Sequence, residues 1–181
     1  MNITGALIFL IDTLISVYIS AILLRVILQY VGAPFSNPIC QFLVKFTNIG
    51  FKPLRKLIPG YWGIDFAGLV FAYIIAIIYI ITIHILKFHT FPSILITMLA
   101  GIWLLASLVL SIYFWAIILR VIFSFLAAGN LSYNPIYHLT YLITEPVLRP
   151  IRGYLPMSGF DLSPMIACFI IILIRILFGI A

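Results

Sequence analysis

Three stretches of this chain are long enough, and poor enough in charge, to cross a lipid bilayer, and that property limits every later reading. Covering about 30 Å of hydrocarbon takes about 20 mostly apolar residues in a helix. Gly5 to Leu24 is broken only by Asp12, Phe66 to Leu86 has only His84 as a group that titrates near neutral pH, and Ile94 to Leu119 has no charge. A fourth stretch, Met165 to Ala181, is shorter and contains Arg175. It is read as a span whose arginine snorkels toward the nearer surface. The N-terminus lacks the basic region of a secretory signal, so the first run is expected to be a retained helix.

Composition agrees with this reading. The chain is 65% hydrophobic and 8% charged, against about 45–50% apolar and about 25% charged in soluble domains. Ten Lys and Arg face four Asp and Glu. Such an excess could bind nucleic acid or hold the chain at an anionic membrane surface, and the apolar background favours the membrane. No nucleic-acid partner is expected. Cys40 and Cys168 lack metal-knuckle or disulfide spacing and are read as inert packing residues.

The polar residues repeat. Leu24-Arg25-Val26-Ile27 recurs as Leu119-Arg120-Val121-Ile122, and Asn37-Pro38 as Asn134-Pro135. Thr47 aligns with Thr144, Lys52-Pro53 with Arg149-Pro150, Arg55 with Arg152, Pro59 with Pro156, and Gly63-Ile64-Asp65 with Gly159-Phe160-Asp161. The expected architecture is an all-α membrane protein of about four transmembrane helices in two tandem helix-loop-helix repeats, 1–90 and 91–181. Each repeat crosses twice, so the copies share one topology, related by a pseudo-twofold along the membrane normal. By the positive-inside rule the two long basic loops are cytoplasmic and both termini lie outside.

Each loop is expected to hold an amphipathic helix lying in the membrane interface. After Pro38, apolar Ile39, Phe42, Leu43, Phe46 and Ile49 follow helical spacing, with Gln41, Lys45, Asn48 and Lys52 opposite. In the second loop Ile136, Leu139 and Ile143 oppose His138, Thr140 and Thr144. Proline-rich segments, Lys52 to Lys56 and Glu145 to Arg152, are expected to stop these helices and present Lys45, Lys52, Arg55, Lys56, Arg149 and Arg152 to anionic headgroups or a protein partner.

The doubled string of Arg-Val-Ile, Asn-Pro, Thr, Pro-x-Arg, Pro and Gly-x-Asp resembles the bacterial YggT family, related to the YlmG proteins, over essentially the whole chain. The resemblance implies a multi-pass inner-membrane protein of unsettled biochemistry, with relatives linked to osmotic tolerance and potassium uptake, to cell division or nucleoid distribution, and to cytochrome maturation in plastids. It implies no catalytic residues. One departure is Ala67-Gly68 in the first copy where the second has Ser163-Pro164.

Asp65 and Asp161 precede the second helix of each unit and are expected to cap it. They could also pair with Arg25 and Arg120, which return to the same interface. Asp12 lies about 10 Å into its helix at 1.5 Å per residue, and Arg175 enters to comparable depth. Three alternatives stand: an Asp12–Arg175 bond, snorkelling of both, or a proton or cation relay at Asp12. Only one histidine, His84, lies inside a span, which excludes a bis-histidine haem within the chain, and no cofactor is expected. Trp62 reads as an interfacial anchor, Trp103 and Trp115 as packing. Ala67, Gly68, Ala72 and Ala76 would let another helix approach closely, within the chain or in a homo-oligomer.

No phosphate loop, nucleophile elbow or metal-ligand cluster is present in the sequence, which points away from an enzyme. The expected role is a non-enzymatic membrane scaffold or assembly factor. An ion-transport component for potassium or osmotic balance is the alternative.

Overall fold

The computed structural model describes residues 3–58, 63–126, 134–154 and 161–179, with side chains described except at 3, 4, 49–53 and 55–57. Among the described residues there are six helices: α1 (Ile3–Tyr30), α2 (Pro38–Leu57), α3 (Phe66–Phe88), α4 (Ile94–Leu126), α5 (Pro135–Tyr154) and α6 (Ser163–Leu177). α1, α3 and α4 are long and apolar enough to cross a membrane. The fourth expected span is a shorter apolar helix, α6, of 15 residues. At 1.5 Å per residue it covers about 22 Å, less than the hydrocarbon thickness.

Within each unit the three helices pack on one another, α1 with α2 and α3, and α4 with α5 and α6. Small residues set the closest approach. Ala67, Gly68, Ala72 and Ala76 are all buried on α3, and Ala72 and Ala76 receive Ile19, Ile22 and Leu23 of α1. Without a hydrophobic drive inside lipid, such close van der Waals contact is the main source of helix association. This face is therefore occupied within the chain.

The expected twofold holds only in part. α3 packs on α4 and α1 on α5, whereas the reciprocal packing of α6 on α1 and of α2 on α4 is at most marginal. α5 is consequently covered by its neighbours more than α2 is.

Two boundaries differ from expectation. The arginines do not close their helices: α1 runs on past Arg25 to Tyr30 and α4 past Arg120 to Leu126. The reason is that the chain stays apolar, and Val26, Ile27 and Leu28 are buried beneath the loop helices. Nor do the prolines stop the loop helices, since α2 includes Pro53 and α5 includes Pro146 and Pro150. An interior proline costs about 3 kcal/mol through a lost N–H bond and a clash. In α5 tertiary packing offsets this: Leu148 is fully buried, and with Val147 and Ile151 it packs against Ile117, Ala167 and Ile171. Glu145 and Arg152 also pair at 3.2 Å across both prolines.

Replacing Ala76 by Leu should overfill the α1–α3 seam and destabilise the protein by about 1–3 kcal/mol. Ile78→Ala, on an exposed part of the same helix, should change the unfolding midpoint in detergent micelles far less.

Candidate functional site

The site begins with an arginine that has no route to water along its own helix. Arg25 is 3% exposed, and a buried guanidinium left unpaired carries a desolvation cost of several kcal/mol. Two of its partners come from α2: Nη1 donates to Thr47 Oγ1 at 2.6 Å and to Asn48 Oδ1 at 3.2 Å. The Thr47 hydroxyl donates its own proton to the Leu43 carbonyl at 2.7 Å. One oxygen thus accepts from the cation while tied to the preceding turn of α2.

The second unit repeats this clasp. Arg120 Nη1 donates to Thr144 Oγ1 at 2.8 Å, and Thr144 donates to the Thr140 carbonyl at 2.7 Å. Asn48 aligns with Glu145, and that exchange changes the chemistry. Arg120 Nη2 lies 2.9 Å from Glu145 Oε2, with its guanidinium 4.5 Å over the Tyr141 ring. Glu145 also meets Arg152, whose Nε donates to Asp161 Oδ2 at 2.9 Å. Asp161 Oδ1 accepts from Ser163 N at 3.0 Å and Ser163 Oγ at 2.6 Å. A continuous polar chain therefore links α4, α5 and the start of α6.

The expected Arg120–Asp161 pair is replaced by this relay. Glu145 follows Thr144 directly on α5 and reaches Arg120 first, while Asp161 at the foot of α6 takes Arg152. In the first unit Asp65 is the N-cap of α3, accepting from Gly68 N at 3.2 Å. Arg152 was expected to face headgroups, yet it is held by two carboxylates. Arg149 and Lys45 are exposed. The side chains of Lys52, Arg55 and Lys56, and all of Trp62, lie outside the described residues.

Asp12 does not bond Arg175. Its carboxylate accepts from the Tyr79 hydroxyl of α3, and α6, which carries Arg175, packs on α4 and α5. The repeat supplies the reason: Tyr79 stands in the first unit where the second has Arg175, and Asp12 where the second has Ser107, so Asp12 meets the partner from its own unit.

The loop-helix faces are also rotated from the expected pattern. Cys40, Leu43 and Thr47 point inward on α2, as do Leu139, Thr140, Ile143 and Thr144 on α5. Phe42 and Phe46 instead stack on each other at 5.9 Å on an exposed face. Thr140 and Thr144, expected on the polar side, are inside, Thr144 because its hydroxyl accepts from Arg120 and Thr140 with its hydroxyl turned back on the Tyr137 carbonyl. Sequence reasoning aligned Thr47 with Thr144 without assigning that role, and a hydroxyl repeated at fixed distance from a repeated arginine was the available signal. Burial pushes the Cys40 thiol above its ordinary range, as suits a packing residue. Trp103 meets Phe178 edge-on at 5.6 Å. Trp115 is exposed on the wall of a cleft of about 450 Å³ between α1, α4 and α5, lined also by Leu24, Leu28, Leu139 and Ile143.

His84 lies 3.4 Å from the Thr90 hydroxyl, and no group of three or more potential metal ligands occurs among the described residues.

Long apolar helices, paired with shorter helices clasped to them through a buried Arg25 and a partly buried Arg120, define an all-α membrane protein built as a tandem repeat. The chain belongs to the CCB3/YggT family, whose model matches it twice, at residues 4–86 and 98–181. It is 41% identical over 169 residues to the uncharacterised protein PA0392 of Pseudomonas aeruginosa, covering 92% of this chain and 85% of that one. It is 37% identical over 172 residues to the uncharacterised protein YggT of Escherichia coli K12, covering 94% and 88%. An uncharacterised protein of Haemophilus influenzae is 32% identical over 166 residues, covering 91% and 87%. No solved structure matches the chain.

Thr144→Val should leave Arg120 without its hydroxyl acceptor and cost about 1.5–3 kcal/mol in unfolding experiments, while Thr144→Ser keeps the oxygen and most of the stability. The Asp161 carboxyl gives a pH dependence. Partial burial alone would raise it, but the two Ser163 hydrogen bonds and the Arg152 guanidinium together outweigh burial and hold it below the usual carboxylate range. Its stabilising contribution is therefore complete above the ordinary aspartate value of about 4. It is lost as pH falls through that value to the lower native one. Asp161→Asn should flatten this part of the acid limb of an unfolding-versus-pH curve.

Proposed function

We propose that this chain is a non-enzymatic scaffold or assembly factor of the bacterial inner membrane. Its long loops face the cytoplasm, its termini face outward, and its two clasped loop helices lie in the interface to engage anionic lipid or a protein partner. The observation that carries this reading is the clasp itself, since each unit uses an arginine, buried in the first and partly buried in the second, to fix a loop helix to the inner end of a long helix. Placing a surface helix rigidly is what a scaffold needs, and the basic loops set the side on which it is displayed.

Ion transport would need a polar path through the long helices. Five of their hydroxyls are turned back on the preceding turn, Thr13 to Phe9, Thr82 to Ile78, Thr97 to Ser93, Ser107 to Leu104 and Ser111 to Ser107. Asp12 is engaged by Tyr79.

Purified protein reconstituted in liposomes should conduct potassium no faster than empty liposomes, and Asp12→Asn should change nothing. A potassium flux abolished by Asp12→Asn would overturn the scaffold reading in favour of transport.

A further inference from the structure

The repeat provides twice for a contact between units that the chain makes only once. α3 of the first unit packs on α4 of the second, while α6, the counterpart of α3, does not comparably pack on α1, the counterpart of α4. The contact that is made is close. Tyr73 donates to the Met98 carbonyl at 3.0 Å, and Gly101 lies so near α3 that an added Cβ would stand 2.9 Å from the Tyr73 ring and from Ile77 Cδ1. Farther along α4, Leu104, Leu105, Leu108 and Ile112 are partly buried against the α1–α3 seam.

In the register that aligns Arg25 with Arg120, Gly101 and these four residues correspond to Ala6, Phe9, Leu10, Thr13 and Val17 of α1. All five are exposed, Phe9 by 71% and Val17 by 58%. The register holds along the helix without a gap, since Ser16, Tyr18, Ala21 and Ile22 align with Ser111, Tyr113, Ala116 and Ile117. α6 is open to match. In the register that aligns Asp65 with Asp161, Tyr73 and Ile77 correspond to Phe169 and Leu173, which are 64% and 42% exposed. Both halves of the missing contact are therefore present and uncovered on one molecule.

An exposed apolar face can rest against lipid, so exposure by itself assigns no partner. What sets this face of α1 apart is that its counterpart on α4 already packs a helix of the α3 type, and a small residue, Ala6, stands where Gly101 admits that helix. α6 adds a second reason. At about 22 Å it is shorter than the hydrocarbon, a mismatch that association with other helices relieves.

We propose that the chain assembles with itself head to tail in the membrane, α6 of one copy packing on the N-terminal half of α1 of the next as α3 packs on α4 within the chain. The contact joins unlike faces, so it repeats from copy to copy until a ring closes or a row extends. This goes beyond the scaffold reading and does not depend on it, because neither the clasps nor the basic loops form the contact.

The test uses the full chain in membrane vesicles, with Cys40→Ala and Cys168→Ala removing the native thiols. Differently tagged copies carrying Ala6→Cys and Phe169→Cys are co-expressed and oxidised with copper phenanthroline. The mixture should yield a disulfide-linked pair bearing both tags, and Ala6→Cys mixed with Leu173→Cys should do the same. Each variant expressed alone should stay unlinked, as should Ala6→Cys mixed with Ile102→Cys, an exposed position on another face of α4. A chain carrying both Ala6→Cys and Phe169→Cys should give species larger than dimers. Repeating the mixtures with the native thiols retained guards against a background that fails to fold, since Cys40 is buried and Cys168 packs toward α4 and α5.

Absence of a link from Ala6 to either α6 position in both backgrounds would overturn the proposal. Linking of Ala6→Cys copies to one another would overturn it in favour of a symmetric α1–α1 dimer, and a link within one doubly substituted chain would place α6 on α1 of the same copy. The scaffold reading survives each of these results and falls only to Asp12-dependent potassium flux.

Discussion

A guanidinium buried in an apolar helix must be met by oxygen from somewhere, and in this protein that oxygen is carried by the loop helix. Arg25 and Arg120 sit in long helices that continue beyond them, so neither is satisfied by the end of its own helix. Thr47 and Thr144 supply the acceptor, and each can do so only if its helix lies across the arginine at hydrogen-bond distance. The requirement fixes the position of α2 on α1 and of α5 on α4. It also places the loop helices' remaining residues, the cations included, at one end of the bundle. An arginine that costs free energy to bury thereby specifies a single arrangement, a use of buried charge best understood as orientation.

The duplication shows which features were free to diverge. Both units retain the Arg–Thr clasp and the Asn-Pro start, with Asn37 accepting from Ile39 N and Asn134 from Ile136 N, each at 2.9 Å. Asn37 also donates to the Pro135 carbonyl at 3.0 Å, joining one loop helix to the start of the other. Around this common frame one position differs, Asn48 against Glu145, and in the second unit the carboxylate meets both Arg120 and Arg152. Two units with the same backbone plan can in this way present different electrostatic surfaces.

Much of the fold was legible in the sequence because lipid permits few solutions. Apolar length marked the long helices, and the repeat register marked the units, since backbone groups in hydrocarbon must be satisfied within helices. The loop helices were legible from periodicity, but their ends and rotation were not. Pro146 and Pro150 argue locally for a break, and only the burial of Leu148 and the Glu145–Arg152 contact make a continuous α5 favourable. The rotation of α2 likewise depends on Thr47 facing Arg25, a contact between residues far apart in the chain.

The charges show where reading from sequence stops. Asp12 and Arg175 were visible as costly residues at similar depth, yet depth does not say which helices are neighbours, and Asp12 meets Tyr79 instead. By itself the sequence determined that the chain is helical, membrane-embedded and doubled, because hydrophobic length and internal register are local properties. Only the tertiary structure decided the partner of each ion and which copy of a repeated surface stays open. Those choices depend on interatomic distance and on the imperfect symmetry with which two similar units pack.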